Sequence, residues 1–459
     1  MSSKVRERMA SSAEMLDIFE DRTLIANAFA FEAALARAEA ECGVVPADAA
    51  AAIAEAGKTA DIDVEELAAE AARGGAFAIP LVKALGRRVA AIDPAAAGHV
   101  HFGATSQDVA DTALVLQLRA ACALLLRDLA RVASALAGHA ATHRVTLMLA
   151  RTLMQPALPT TFGLKAASWL LAVESGMARI ERECDQALTL QFGGAAGTLA
   201  ALGEKGQAVA RRVAEILALP LPAMPWHTRR DGIAGLAAAI GIVTGSLGKM
   251  ARDLSLLSQA ELGEASEPAG AGRGGSSTMP HKRNPVASMT ALAAATRTPG
   301  LVSTMLSAMV QEQERALGGW QAEAPTLAAL CQAAHGAALA MVEALEGLTV
   351  EPAAMRANIE RLRGLILAER LMLALAPRMG RAEAHKAVEE LSRRAVAEKR
   401  HLRDLALADP DIARHVGGDE ITALFDPATY LGAADAFIDD ALAAHDKARG
   451  ERAMRAKLS

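Results

Sequence analysis

Apolar side chains recur at spacings of three and four residues along extended stretches of this chain. Such spacing places them on one stripe of a helix, and a helix with a long apolar stripe must bury it against a neighbour. The pattern therefore predicts long helices packed into a bundle. The two clearest stripes comprise Ile233, Leu236, Ile240, Val243, Leu247, Met250, Leu254 and Leu257, and Leu118, Cys122, Leu125, Leu129, Val132 and Leu136.

The prolines divide the chain into three regions. Residues 95–155, 160–219 and 226–267 contain no proline, and because proline disrupts helix interiors, these stretches permit unbroken helices. We therefore predict three domains. They are an N-terminal domain of shorter helices over residues 1–108, a central long-helix bundle over 109–348 and a C-terminal helical domain over 349–459.

Composition supports an all-α fold and limits the partners. Apolar residues make up 52% of the 459 residues but aromatic residues only 3%, and the abundant Ala and Leu favour helices. The net charge is -5, and no basic tract follows the pattern expected for binding nucleic acid. The uncharged runs 232–248 and 324–342 hold many Ala and Gly residues, so we predict buried bundle helices rather than membrane spans.

The cysteines and the first residues indicate a cytoplasmic protein. The four cysteines form no C-x-x-C pair, which is typical of reduced thiols that act as small core residues. The N-terminal residues lack the apolar block of a signal peptide. No set of histidines and cysteines has the spacing of a zinc site, so we predict no metal.

Residues 264–285 interrupt the helical pattern with four glycines and three prolines. Long loops inside compact proteins are usually functional, although the glycines alone would also fit a flexible linker. Lys282 and Asn284 could hold an anion by charge and by an amide donor. Ser276 could carry a proton if a cation and backbone N–H groups activated it. The residues alone equally permit Lys282 or His281 as the proton carrier.

The run 275–285, Gly-Ser-Ser-Thr-Met-Pro-His-Lys-Arg-Asn-Pro, resembles the signature loop of the fumarase/aspartase superfamily. The resemblance covers nearly the whole chain. It implies a three-domain, all-α subunit with a long central bundle, proton transfer by Ser276, and neither a metal nor an organic cofactor. It also implies a homotetramer whose active sites are shared between subunits.

A second match is His101-Phe-Gly-Ala-Thr-Ser-Gln-Asp108. By resemblance, His101, Thr105 and Ser106 contact a substrate carboxylate, and the Gln107 amide is a further anion donor. A helix N-cap at Thr-Ser is an alternative that is compatible with anion binding. The remaining residues that the resemblance places at the substrate are Arg151, Thr152, Gln155, Ser277, Met279, His281 and Arg315, although Met279 also fits a packing role.

The most informative departure from the superfamily is Leu153. Adenylosuccinate lyase, argininosuccinate lyase and fumarase resemble this segment, but they read Thr-His-Gly-Gln or close to it, and that His protonates the leaving group. Amine and hydroxide leaving groups are strongly basic and need a proton donor, whereas a carboxylate, with a pKa of about 4, does not. Leu153 therefore predicts a reaction in which a carboxylate oxygen makes or breaks the C–O bond.

Within the superfamily this prediction points to the muconate cycloisomerases. The segments 191–199, 226–231, 311–315 and 425–432 also resemble that branch. The resemblance implies a small tricarboxylate substrate that closes to a lactone during aromatic-acid breakdown through protocatechuate. Two alternatives remain open. One is a related lyase such as an adenylosuccinate lyase, which the missing His disfavours, and the other is a non-catalytic protein built on the same fold.

Overall fold

The computed structural model describes residues 4–58, 61–270, 274–275, 278–279 and 282–458. Most of these residues are helical, which confirms the all-α prediction. Helices α1 to α9 are Lys4–Ala10, Ala13–Ile18, Asp21–Glu41, Ala47–Ala56, Val64–Gly74, Ala78–Ile92, Ser106–Thr142, Phe162–Ala187 and Gly206–Leu217. Helices α10 to α19 are Asp231–Leu257, Val286–Ala308, Gly319–Glu346, Pro352–Glu360, Ala368–Met379, Arg381–Ala397, Leu402–Ala408, Pro410–His415, Gly418–Leu424 and Ala434–Leu458. Short 3-10 helices are Ala96–His99, Ala200–Lys205, Leu365–Leu367 and Pro427–Thr429.

The long helices bury the stripes that the sequence predicted. Helices α7, α10 and α12 contain 37, 27 and 28 residues. No residue of the two predicted stripes is more than 4% exposed. Burying a Leu, Ile or Val side chain stabilises the fold by about 1.5–3 kcal/mol, so these stripes contribute strongly to holding the helices.

The chain forms two compact units, each built from three separate segments. Unit 1 comprises Met1–Leu129, Gly176–Gly248 and Thr290–Leu339. Unit 2 comprises Ala130–Ser175, Lys249–Met289 and Ala340–Ser459. The long helices α7 and α12 contribute residues to both units. The division into three consecutive domains remains a prediction.

Unit 2 contains a β-hairpin that the sequence analysis missed. Strands β1 (Leu147–Thr152) and β2 (Gln155–Thr161) pair antiparallel around a two-residue turn. Both turn residues have left-handed backbone angles, with φ +50° at Leu153 and +66° at Met154. Tight hairpin turns with such angles usually contain Asn-Gly or Gly. Because this turn contains neither, the sequence gives no recognisable signal for it.

A second antiparallel pair in unit 2 marks the start of the predicted loop. Strand β3 (Ala265–Ser266) pairs with β4 (Thr349–Val350). Helices α14 to α18 enclose a separate apolar core in the same unit. Its buried residues include Leu371, Leu375, Val388, Leu391, Leu402, Leu405, Ile412 and Ile421. Helix α19 is held by Glu174, which accepts hydrogen bonds from His445 Nδ1 at 2.6 Å and Arg452 Nη2 at 3.0 Å.

Helices α7, α10 and α12 are long and apolar enough to cross a membrane when judged by length and composition alone. Between 61% and 72% of their most apolar windows is buried inside the structure, however. They also bury charged side chains, among them Asp111, Asp128 and Glu323. These observations support the interpretation as bundle helices, and the absence of a membrane partner remains a prediction.

Candidate active site

In unit 1, the segment before helix α7 places His101 in an unusual setting. His101 has a left-handed φ of +60°, which is uncommon for a residue other than glycine. Its Nδ1 lies 2.6 Å from Oε1 of the buried Glu32. Burial acts to lower the pKa of His101, but the hydrogen bond to Glu32 and the negative charges of Glu32 and Asp108 raise it above its ordinary value. The structure thus favours a protonated imidazole.

Asp108 organises the site segments of unit 1, although the sequence analysis gave it no role. It occupies the third position of helix α7, and its Oδ2 accepts a hydrogen bond from the Thr105 backbone N–H at 3.0 Å, as in a capping box. Its Oδ1 lies 2.8 Å from His227 Nε2. The same carboxylate accepts hydrogen bonds from the backbone N–H groups of Gly193 and Gly194 at 3.0 and 2.9 Å and from Gln191 Nε2 at 3.1 Å. One buried carboxylate therefore joins three distant segments.

The glycine segment 193–197 packs too closely for larger side chains. A Cβ at Gly194 would lie 2.8 Å from the carbonyl oxygen of Gly103, and one at Gly193 would lie 2.9 Å from Cε1 of His227. These glycines therefore permit a close approach of backbone segments. His227 is buried, and its Nε2 lies beside the carboxylate of Asp108.

Gln107 was predicted to contact substrate, but the structure gives it an internal role. It is fully buried, and its amide donates hydrogen bonds to Asp111 Oδ2 at 3.1 Å and to the His227 carbonyl at 2.8 Å. Its Oε1 accepts a hydrogen bond from Arg315 Nε at 3.3 Å. Arg315 also donates to the Ala195 carbonyl at 3.0 Å. Gln107 therefore orients Arg315, and the predicted direct contact would require these bonds to break.

Asp111, which accepts a hydrogen bond from Gln107, belongs to a buried ion network. Arg230 lies between Asp111 and Glu323, and its Nη1 is 2.7 Å from Asp111 Oδ2. The guanidinium also stacks on Trp226, 4.6 Å from the ring centroid, and Trp320 Nε1 donates to Asp111 at 2.9 Å. Burial raises the pKa of Glu323, and the neighbouring Arg230 opposes this effect. Each carboxylate has a cationic partner, as buried charges require.

In unit 2, Arg151 is tied to the beginning of the predicted loop. Its Nη1 and Nη2 donate to the two oxygens of the buried Glu264 at 2.8 and 2.7 Å, and Asn358 donates to Glu264 at 2.8 Å. This bidentate pair neutralises much of the positive charge of Arg151, a residue that the resemblance places at the substrate. Arg151 can therefore bind an anion only through its remaining N–H groups.

The hairpin tip presents the residues around Leu153 to solvent. Thr152 and Gln155, both predicted at the substrate, are exposed on either side of it. Leu153 and Met154 are 96% and 69% exposed, a rare situation for two adjacent large apolar side chains. Neither tip residue can donate a proton. The position where the superfamily resemblance would lead one to expect a histidine is thus apolar here.

The loop residues Lys282 and Asn284 line one cavity in unit 2. The cavity has a volume of about 530 Å³ and is also lined by Ser266, Glu267, Gly274, Gly275 and Arg283. Gly274 has φ +63°, and its carbonyl accepts a hydrogen bond from the Asn284 N–H at 2.9 Å. Asn284, Lys282 and Met279 have exposed side chains. Ser276, Ser277 and His281 lie outside the described residues.

The predicted site residues therefore fall into two groups. Unit 1 holds His101, Thr105, Ser106, Gln107 and Arg315 around the start of helix α7. Unit 2 holds Arg151, Thr152 and Gln155 on the hairpin, together with Met279, Lys282 and Asn284 on the loop. Direct substrate contact by any of them remains a prediction. Asp108, Glu32 and Glu264 are the main additions from the structure.

Two models of known protein families match most of the chain. A family model described as Lyase matches residues 6–300, and one described as Adenylosuccinate lyase C-terminus matches residues 364–441. The first match contains the segments around His101, Leu153 and Asn284. The second match lies within the C-terminal helices of unit 2.

Individual relatives are similar over nearly their full lengths. The 3-carboxy-cis,cis-muconate cycloisomerase of Bradyrhizobium diazoefficiens is 52% identical over 431 residues, which cover 94% of this chain and 96% of the relative. Nitrosuccinate lyase of Streptomyces davaonensis is 43% identical and covers 91% of this chain and 90% of its own. The crystal structure of the 3-carboxy-cis,cis-muconate lactonizing enzyme from Pseudomonas putida matches with a TM-score of 0.93 at 45% identity, over 97% of this chain and 100% of that one.

Proposed function

This chain belongs to the fumarase/aspartase superfamily of lyases, and on that premise we propose that it is an enzyme that lactonises 3-carboxy-cis,cis-muconate. The product would be 4-carboxymuconolactone, in the protocatechuate branch of the β-ketoadipate pathway. The names of relatives with 52% and 45% identity support this substrate. The reaction is an intramolecular addition that needs neither a metal nor an organic cofactor.

The observation that carries the proposal is the apolar hairpin tip. In this reaction a substrate carboxylate is the nucleophile, and in reverse it is the leaving group. Because a carboxylate has a pKa of about 4, it departs without a proton donor. An exposed Leu153 at the position of the superfamily's acid suits such a group. It does not suit an amine, which would leave as a strong base.

The reaction can be described step by step. One carboxylate adds to the conjugated C=C bond, a C–O bond forms, and negative charge develops at the carbon next to another carboxylate. Cationic and amide donors stabilise the resulting enediolate-like intermediate. A proton is then delivered to that carbon. We assign the delivery to Ser276 by its place in the signature loop, with Lys282 or His281 as the alternative carriers.

The described contacts support a division of labour among the cations. His101 and Arg315 are held in unit 1 by Glu32 and Gln107, so each offers a fixed donor. Lys282 and Asn284 line the loop cavity of unit 2 with exposed side chains. A tricarboxylate requires several such donors, because every carboxylate that loses water needs new hydrogen bonds.

We further propose a cytoplasmic homotetramer whose active sites combine residues from different subunits. The described cysteines are all free, in keeping with a reducing compartment. Each unit also exposes large apolar side chains on long helices, including Ile242 and Leu306 in unit 1 and Leu171 in unit 2. Light scattering after size exclusion should give about four times the 47.6 kDa chain mass, and a monomeric active enzyme would contradict this proposal.

The activity is tested by mixing the purified protein with 3-carboxy-cis,cis-muconate and following the loss of conjugated-diene absorbance. Ser276→Ala should lower kcat by about 10²-fold or more, because acid–base groups contribute at least that much. Ser134→Ala, at an exposed serine of helix α7, is the matched control. If the wild type turns the substrate over and Ser276→Ala keeps full activity, another residue must deliver the proton.

Substrate competition separates the alternatives. Adenylosuccinate and nitrosuccinate are tested in parallel, because the chain matches an adenylosuccinate lyase C-terminal model and resembles a nitrosuccinate lyase. Efficient cleavage of adenylosuccinate would refute the argument from Leu153, since its leaving group is an amine. If only nitrosuccinate were turned over, the assignment to the superfamily would stand and the proposed substrate would be wrong. No turnover of any of these compounds would favour a non-catalytic protein.

A further inference from the structure

In unit 1, His101 and Glu32 form a hydrogen-bonded imidazole–carboxylate pair. His101 holds a left-handed φ of +60°, and strained backbone of this kind gathers at functional sites. Its side chain is 18% exposed, whereas that of its partner Glu32 is 1% exposed. The Nδ1–Oε1 distance is 2.6 Å. Nε2 has no hydrogen-bond partner among the described residues, so it is the nitrogen that faces outward.

A second buried acid lies behind this pair. Glu39 follows Glu32 by seven residues on helix α3, and it is 0% exposed. Neither of its oxygens, nor Oε2 of Glu32, has a hydrogen-bond partner within the described part of the chain. A nearby negative charge disfavours the ionised form of a buried carboxyl group. Burial, followed by the negative charge of Glu32, raises the pKa of Glu39 to about 8.

These charges determine the state of the imidazole. At neutral pH the raised pKa of Glu39 favours its protonated form, and the negative charge of Glu32 acts on His101. Asp108 adds a second negative charge that acts on the same ring. The ring thus has anionic neighbours on helices α3 and α7, and the protonated form of His101 is favoured on both sides.

We propose that Glu32 is a positioning residue for the reaction, which holds the His101 imidazolium by Nδ1 and directs Nε2–H at a substrate carboxylate. This inference rests on the proposed function. It adds a residue of the N-terminal helices to the site, and it explains why a carboxylate is buried among the apolar residues of helix α3, such as Phe31 and Leu35. A charged hydrogen bond of this kind combines orientation with charge.

The test separates those two effects. Glu32→Gln keeps an oxygen that can accept from Nδ1 but removes the negative charge, and Glu32→Asp keeps the charge but shortens the reach. In Glu32→Gln, the alkaline limb of the kcat/KM profile should move to lower pH by about one unit or more, with a larger rise in KM than fall in kcat. Glu32→Asp should recover part of that shift. Glu66→Gln, at an exposed acid in the same unit, should keep the wild-type profile.

A chemical readout makes the test independent of turnover. Diethyl pyrocarbonate modifies neutral imidazole, so the pH at which His101 becomes reactive, followed by peptide mass spectrometry, reports its protonation. That pH should be lower in Glu32→Gln than in wild type, and Glu32→Asp decides the question if Glu32→Gln does not fold. Equal reactivity profiles in a folded variant would overturn the inference. A wild type with the expected reactivity but no activity on the carboxymuconate would refute only the proposed function.

Discussion

Glu39 gives the sharpest physical prediction of this structure. Its side chain is fully buried on helix α3 and has no hydrogen-bond partner within the described residues. Its pKa rises from the ordinary value of 4.5 to about 8. Glu39→Gln is nearly isosteric and removes the titration, so it isolates the free energy of keeping this carboxyl group out of water.

The sign follows from proton binding in the two states. Below pH 4.5 the Glu39 carboxyl group is protonated in both the native and the unfolded chain, so it does not make the free energy of unfolding depend on pH. Between pH 4.5 and 8 the native state binds one proton more than the unfolded state, so the free energy of unfolding falls as pH rises. The pKa rise corresponds to a total loss of about 5 kcal/mol at most, of which about 3 kcal/mol has accumulated at pH 7.

Urea unfolding of wild type and Glu39→Gln at pH 5, 6, 7, 8 and 9 measures this loss. The buried amide of the variant adds a constant offset, so the slope of the difference with pH is the test. The stability of the variant relative to wild type should grow up to pH 8 and then level off. Glu66→Gln, at an exposed acid, should run parallel to wild type. If the stability of Glu39→Gln also changed with pH in parallel with that of wild type, the argument that burial raises the pKa of Glu39 would be refuted.

Three further predictions concern the ion network, the loop and the buried amide. Arg230→Met should lower the free energy of unfolding by about 3–5 kcal/mol, because it leaves two buried acids without their cation. Arg229→Met, at an exposed arginine, is the control in the same urea titration. Equal effects of the two substitutions would contradict this account of the ion network. Gly274→Ala should reduce kcat at least tenfold at an unchanged unfolding midpoint, because a Cβ there would lie 2.6 Å from a backbone carbonyl at a φ of +63°. Gly275→Ala meets nothing within 4 Å and should be milder, so a reversed order would argue against steric control of the loop. Gln107→Leu should raise KM about tenfold by releasing the arginine that it orients, and steady-state kinetics would contradict this role if kcat fell at constant KM.

The sequence predicted the helical framework because periodicity alone determines it. Every residue of the stripes around Leu118 and Ile233 is buried as expected. The hairpin at Leu153 escaped prediction because its turn adopts left-handed angles without glycine or asparagine. Such a turn is fixed by the strands on both sides, and no short-range pattern reveals it.

The sequence pointed to some of the residues of the candidate site and not to others, for physical reasons. The segments around His101 and Asn284 stood out because their residue types are unusual and close in sequence, and their contact with a substrate remains a prediction. Asp108 was missed because all of its described partners except Thr105 lie 83 to 119 residues away in sequence. Glu32 left a readable signal: it stands on the apolar stripe of helix α3, where a charge must have a partner. The internal hydrogen bonds of Gln107 were not foreseen, because an amide near a helix start fits both a ligand contact and an internal brace.

The two-residue hairpin tip also bears on how such an enzyme changes during evolution. Its backbone is determined by paired strands, while the side chain of Leu153 extends almost wholly into solvent. A substitution there alters the chemistry offered to a ligand but removes no packed contact from the interior. Folding therefore constrains this position mainly through its left-handed φ of +50°, and side chains that tolerate this angle can replace one another there at little cost in packing.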